Sequence, residues 1–133
     1  HLHRTAPETF FLLEGELHVL AGDQVVDLRG GDVLHVPAGT VHAWATPTGS
    51  PAEMIIVKAP GTPRFDYFRL ADRIRSGQAE PRELLATQER FDNHFTTSGV
   101  WERHLAAVFG DTAPTGLAPL PDPVSAGARG GRP

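Results

Sequence analysis

The sequence has no cysteine, so neither a disulfide framework nor a thiolate metal site can be built from it. Any metal must therefore rest on nitrogen and oxygen donors. Long apolar runs are missing too: stretches such as Phe10–Leu13 and Met54–Val57 fall far short of the ~20 residues that cross a bilayer. No membrane partner is expected. Basic charge is scarce, with 12 Lys and Arg against 16 Asp and Glu for a formal net charge of -4. No cluster of Lys or Arg reverses that balance locally, which argues against nucleic acid as a partner. No signal peptide is visible, and an acidic, cysteine-free domain has the cytoplasm as its default location.

What is present fits one small domain of 133 residues. From Glu8 to Lys58, short β-type runs are punctuated by glycine, proline and aspartate, the pattern of an all-β sandwich or barrel. The candidate strands are 9–13, 16–20, 24–28, 33–36, 41–45 and 53–58. Ala21-Gly22-Asp23 suits a hairpin turn, while Gly30-Gly31-Asp32 and Pro37-Ala38-Gly39 suit sharp corners. These links are too short for helical crossovers, so the pairing is antiparallel.

Beyond Pro60 the periodicity changes. Tyr67, Leu70, Ala71 and Ile74 recur at helical spacing, with Ser76-Gly77 as a stop. Pro81 opens a second predicted helix whose apolar stripe runs through Leu84, Phe91 and Phe95, and a third spans about 100–109 with Trp101, Leu105 and Val108 on one face. The organisation expected is thus a β unit at 1–60, a helical extension at 61–110 packed on it, and a disordered tail at 111–133. Five prolines and four glycines fall within that tail.

The chemistry concentrates in a few residues. On a strand, residues two apart share a face, so His1 and His3 can present two imidazoles to one point. Arg4-Thr5-Ala6-Pro7 breaks that strand and lets Glu8 begin the next one facing the same interior. His42, just past the Pro37-Ala38-Gly39 corner, would close the set. Three imidazoles and a carboxylate suit one divalent transition metal (Fe, Mn, Ni, Co, Cu or Zn) and disfavour Ca(II) and Mg(II).

These residues resemble the cupin family. Its first motif reads HxH, three or four residues, E, six residues, G, and is met by His1, His3, Glu8 and Gly15. Its second reads G, five residues, PxG, two residues, H, three residues, N, and is met by Gly31, Pro37, Gly39 and His42, with Thr46 in place of the final asparagine. The resemblance covers the chain up to about Pro60 and is similar to small quercetinase-like cupins. It implies that His1, His3, Glu8 and His42 are the metal ligands. It also implies an all-β jelly roll, a double-stranded β-helix closed as a conical barrel. The helical half looks like the extension that many single-domain bacterial cupins carry. Because the motif begins at the first residue, the family's opening strands are expected to be missing, with His1 a frayed ligand at an open edge. A homodimer is the family expectation.

Strand parity places Phe10 and Leu12 on the face of Glu8, and Trp44 on the face of His42. They read either as an apolar substrate pocket beside the metal or as the core of a small barrel. Two classes of function follow. One is an enzyme, a metal-dependent dioxygenase for an aromatic or enediol-type small molecule in which Glu8 also serves as base, or an isomerase or lyase if the metal is not redox-active. The other is a non-catalytic cupin that binds a small ligand or metal; a sensor domain would need a DNA-binding segment, for which the missing N-terminus is the place left. His18 and His35 read as support for the site or as exposed strand residues, Glu14 and Glu16 as solvent-facing charge. His94 and His104 are given no role.

Overall fold

The computed structural model describes residues 1–47 and 49–110. Among these described residues six strands come first: β1 (Glu8–Glu14), β2 (Glu16–Ala21), β3 (Gln24–Arg29), β4 (Val33–Val36), β5 (His42–Ala45) and β6 (Glu53–Lys58). Four helices follow: α1 (Arg64–Arg75), α2 (Pro81–Leu85), α3 (Gln88–Phe91) and α4 (Gly99–Phe109). The strands form two antiparallel three-stranded sheets, β4-β1-β6 and β3-β2-β5. Alternation along β1 buries Glu8, Phe10 and Leu12 and exposes Phe11 and Leu13. Phe10, Leu12, Leu17, Val19, Leu28 and Val36, drawn from both sheets, make one continuous core between them.

The closed barrel that the family resemblance implies is not formed, and the sheets have open edges, as the expected loss of the opening strands implied. Among the described residues the ladder ends at β3 and β5 on one sheet and at β4 and β6 on the other. The break lies between β1 and β2. The β1–β6 register shifts between Leu12 and Glu14, and Gly15 then turns the chain into the second sheet at φ +87°. Only glycine fits there, because a Cβ would stand 2.4 Å from the Pro51 carbonyl oxygen. The β2–β3 hairpin turns through Gly22 and Asp23, with Gly22 at positive φ.

The first helix ends at Ser76 as its stop signal predicts. The second predicted helix is instead two: α2 opens with Pro81 and a capping box between Glu80 and Glu83, and α3 closes with Asp92 in the left-handed region at φ 48°. Phe95 therefore lies past the helix, and the chain after Asp92 runs back toward the sheets. In α4, Trp101 and Leu105 are partly buried but Val108 is 46% exposed, so the predicted apolar face is incomplete. The tail expected to be disordered lies outside the described residues. Among the described residues no helix is long and apolar enough to cross a membrane.

Candidate metal centre

His1 to His3 is held from two sides, so the fraying expected of His1 is corrected. On one side His42 N donates to His1 O at 2.8 Å and Gly39 N to His3 O at 2.6 Å. On the other, Leu2 and His94 exchange both main-chain hydrogen bonds at 2.9 Å, an isolated antiparallel bridge to the helical half. This anchoring carries His1 and His3 to β1 and β5. Glu8 begins β1 and His42 begins β5, where the corner at Gly39 takes φ +80°.

The structure brings all four side chains together. One ligand-type atom from each of His1, His3, Glu8 and His42 lies within 4.8 Å of the other three. The three imidazoles form a triangle with ring centroids 4.4 to 5.1 Å apart. Glu8 sits against two of them, with Oε1 at 3.4 Å from His3 Nε2 and Oε2 at 3.2 Å from His42 Nε2. His3, Glu8 and His42 are all buried.

The outward ring nitrogens are committed to main-chain carbonyls. His3 Nδ1 donates to Asp92 O, and His42 Nδ1 donates to Thr40 O at 2.8 Å. A carbonyl only accepts, so each Nδ1 carries a proton and each Nε2 faces inward, free to hold a second proton toward Glu8 or to offer a lone pair to a cation. The Nε2 of His1 is buried without a hydrogen-bond partner, and that of His42 stands opposite the Glu8 carboxylate. Three inward ring nitrogens crowded on one buried carboxylate call for positive charge at the centre, and a cation supplies it. The donor set fits a borderline divalent ion.

Glu8 shows the same demand. Burial raises its pKa, yet hydrogen bonds and positive charge from His3 and His42 outweigh this and hold the carboxyl at about 2. Positive charge on or between the rings is what keeps it ionised. A metal ion supplies that charge as well as protons do.

Asp92 and Lys58 were not legible as parts of this centre. The Asp92 carboxylate gathers the 4–5 turn, accepting from Arg4 N at 2.7 Å, Thr5 N at 3.1 Å and Thr5 Oγ1 at 2.6 Å. Burial pushes its pKa up, but these bonds and the Lys58 charge bring it down to about 2. Lys58 at the end of β6 donates to Phe91 O at 3.1 Å and Asp92 O at 3.3 Å, tying the His3 acceptor to the sheet. The one sequence signal was Asp92-Asn93 after a helical stretch, a pair that tolerates the left-handed region.

The residues expected to line a pocket divide. Phe10 and Leu12 are fully buried in the core, with the Phe10 ring edge-on to His42 at 6.5 Å between centroids. Trp44 pairs with Val19 across the β2–β5 ladder, which puts it on the core face, but at the sheet edge it stays 43% exposed. Phe95 lies 6.4 Å from the His1 ring. His35 meets Thr9 at 2.9 Å on the exposed side of β1.

The description "Cupin domain" matches residues 1–58, the span that holds both motifs and all six strands. Residues 1–58 are a cupin domain. A curated relative is the quercetin 2,3-dioxygenase of Bacillus subtilis (strain 168), 39% identical over 93 residues, which are 69% of this chain and 26% of that enzyme. The chain thus spans about a quarter of that relative's length, and the match is longer than the cupin domain, so it continues into the helical half. Solved structures with likeness include the TT1209 protein of Thermus thermophilus, at 33% identity over 45% of this chain and 57% of that one, with a TM-score of 0.44. Another is a cupin-2 domain containing protein from Shewanella frigidimarina NCIMB 400, at 30% identity over 43% and 55%, with a TM-score of 0.38.

Proposed function

We propose that this cupin holds one divalent transition metal through His1, His3, Glu8 and His42 and works as a metal-dependent dioxygenase on a small aromatic or enediol-type molecule. The observation that carries the metal is the convergence of three imidazoles on a buried carboxylate, with the His1 Nε2 buried and without a hydrogen-bond partner. The reaction class leans on the likeness to a relative named quercetin 2,3-dioxygenase. In this reading the strands form part of a jelly-roll, double-stranded β-helix architecture.

The metal, when bound, supplies Lewis acidity toward a substrate oxygen and, if redox-active, a route for electrons to O₂. The protein does the rest. Asp92 O and Thr40 O fix the ring planes of His3 and His42, so that the donors are oriented before any ligand arrives. Glu8, the carboxylate of the four-residue set, takes the proton of a substrate hydroxyl in this reading. Phe10 backs the His42 ring from the core. Trp44, on the same face but exposed, offers a substrate ring a partner to stack on, as does Phe95 beside His1.

The test is to purify the chain, determine its bound metal, and follow O₂ consumption after reconstitution with Fe(II), Mn(II), Co(II), Ni(II) or Cu(II) on quercetin, other flavonols and enediols. Metal-dependent O₂ uptake that is lost in Glu8→Ala supports the reading. No uptake with any metal while one ion stays bound removes the dioxygenase and leaves a binding cupin.

A further inference from the structure

A second group of metal-ligating side chains lies outside the cupin motifs. His18 and Asp27 stand directly opposite each other across the β2–β3 ladder. By alternation they face away from the core that Leu17, Val19 and Leu28 enter, on the outer side of the β3-β2-β5 sheet. His18 Nδ1 and Asp27 Oδ1 are 2.5 Å apart.

Helix α4 lies over that side. The His104 ring meets His18 edge-on at 4.8 Å between centroids, and Phe109 meets it at 6.0 Å. His104 is itself stacked on Trp101, at 17° and 5.5 Å, which sets its plane. Its Nε2 is buried with no hydrogen-bond partner. One ligand-type atom from each of His18, Asp27 and His104 lies within 4.8 Å of the other two.

We propose that His18, Asp27 and His104 form a second divalent-metal site, which fastens helix α4 to the outer face of the sheet. Two imidazoles and a carboxylate are borderline donors suited to Zn(II), Co(II), Ni(II) or Cu(II), not to Ca(II) or Mg(II). Three protein donors leave further coordination positions to water. A surface depression lined by Glu16, His18, Asp27 and Arg29 among others gives water that access. The Asp27 side chain is 71% exposed and that of His18 15%, whereas three of the four residues of the first centre, His3, Glu8 and His42, are buried. The second site is therefore the weaker and more exchangeable of the two. Its ligands come from β2, β3 and α4, so its occupancy reports on helix docking. The competing account makes His18–Asp27 a cross-strand ion pair and His104 a stacked packing residue.

The full 133-residue chain, stripped with a chelator, is titrated with Zn(II) alone against a chromophoric competitor. Two equivalents are expected, the weaker one lost in both His104→Ala and Asp27→Asn and kept in Glu8→Ala. One equivalent in the wild type that both variants retain overturns the proposal, as do two equivalents in both variants. A single wild-type equivalent that both variants lose supports this site and counts against the four-donor one. Asp27→Asn is close to isosteric at an exposed position, so it decides the matter if circular dichroism shows that His104→Ala has released α4.

Discussion

Replacing Asp92 with alanine tests whether the helical half is part of the metal centre or only attached to it. The substitution removes the acceptor of three hydrogen bonds, two from the main chain of Arg4 and Thr5 and one from the Thr5 hydroxyl. Hydrogen bonds to a charged group are each worth roughly 1.5–3 kcal/mol. Arg4 and Thr5 are exposed, so water replaces part of the loss, and the three do not add. About 3 kcal/mol is the resulting expectation. Alanine also pays for the left-handed conformation at φ 48°, about 1 kcal/mol more. A loss of about 4 kcal/mol is large beside a total stability of roughly 5–15 kcal/mol. Urea denaturation of chelator-treated protein should show a midpoint lower by roughly 2 M for an m-value near 2 kcal/mol/M. Metal affinity should also fall roughly 10- to 100-fold, because the carbonyl that aims His3 is displaced. A stability change below about 1 kcal/mol together with unchanged metal affinity would refute the reasoning.

Acid should weaken the metal-free protein in a defined window. Glu8 and Asp92 are both held at about 2, below the ordinary carboxylate pKa of about 4. Their contribution is complete above about pH 4 and lost as pH falls toward 2; urea midpoints at descending pH check this, and Asp92→Asn should flatten the profile. Gly15→Ala and Gly39→Ala separate close approach from backbone preference. Both glycines have positive φ, but only at Gly15 would a Cβ meet backbone, so Gly39→Ala should cost about 1 kcal/mol and Gly15→Ala well over about 2 kcal/mol, or the fold itself. Trp44→Ala should change stability by less than about 1 kcal/mol at this half-exposed edge position while raising KM for an aromatic substrate. A large drop in thermal stability would make it a core residue instead.

Much of the β half was legible because its instructions are local. Turn residues at 21–23, 30–32 and 37–39 delimit the strands to within a residue or two, and alternation correctly buries Glu8, Phe10 and Leu12. Parity also put Trp44 on the core face, but it could not show that β5 is an edge strand where a core-facing side chain meets solvent. An open edge was expected, but where the sheets part was not legible for the same reason. It depends on which strands find partners, and the bulge beside Gly15 divides the ladder in two. The helical stripe through Leu84, Phe91 and Phe95 misled because Asp92 ends the helix where apolar spacing alone would continue it. The supports of the centre were hidden by distance along the chain: Asp92 reaches Arg4 and Thr5 across 88 and 87 residues. His94 and His104, given no role from sequence spacing, are brought to Leu2 and His18 by the same return of the helical half.

The central claim concerns one ion held by His1, His3, Glu8 and His42, and anomalous diffraction from crystals of the metal-loaded protein at the absorption edge of its metal tests it most directly. The account predicts a peak within the triangle of these imidazoles, about 2.0–2.2 Å from each Nε2 and from a Glu8 carboxylate oxygen. Metal-loaded crystals with no peak there, and with the Nε2 atoms of His1 and His42 hydrogen-bonded to other groups, would contradict it.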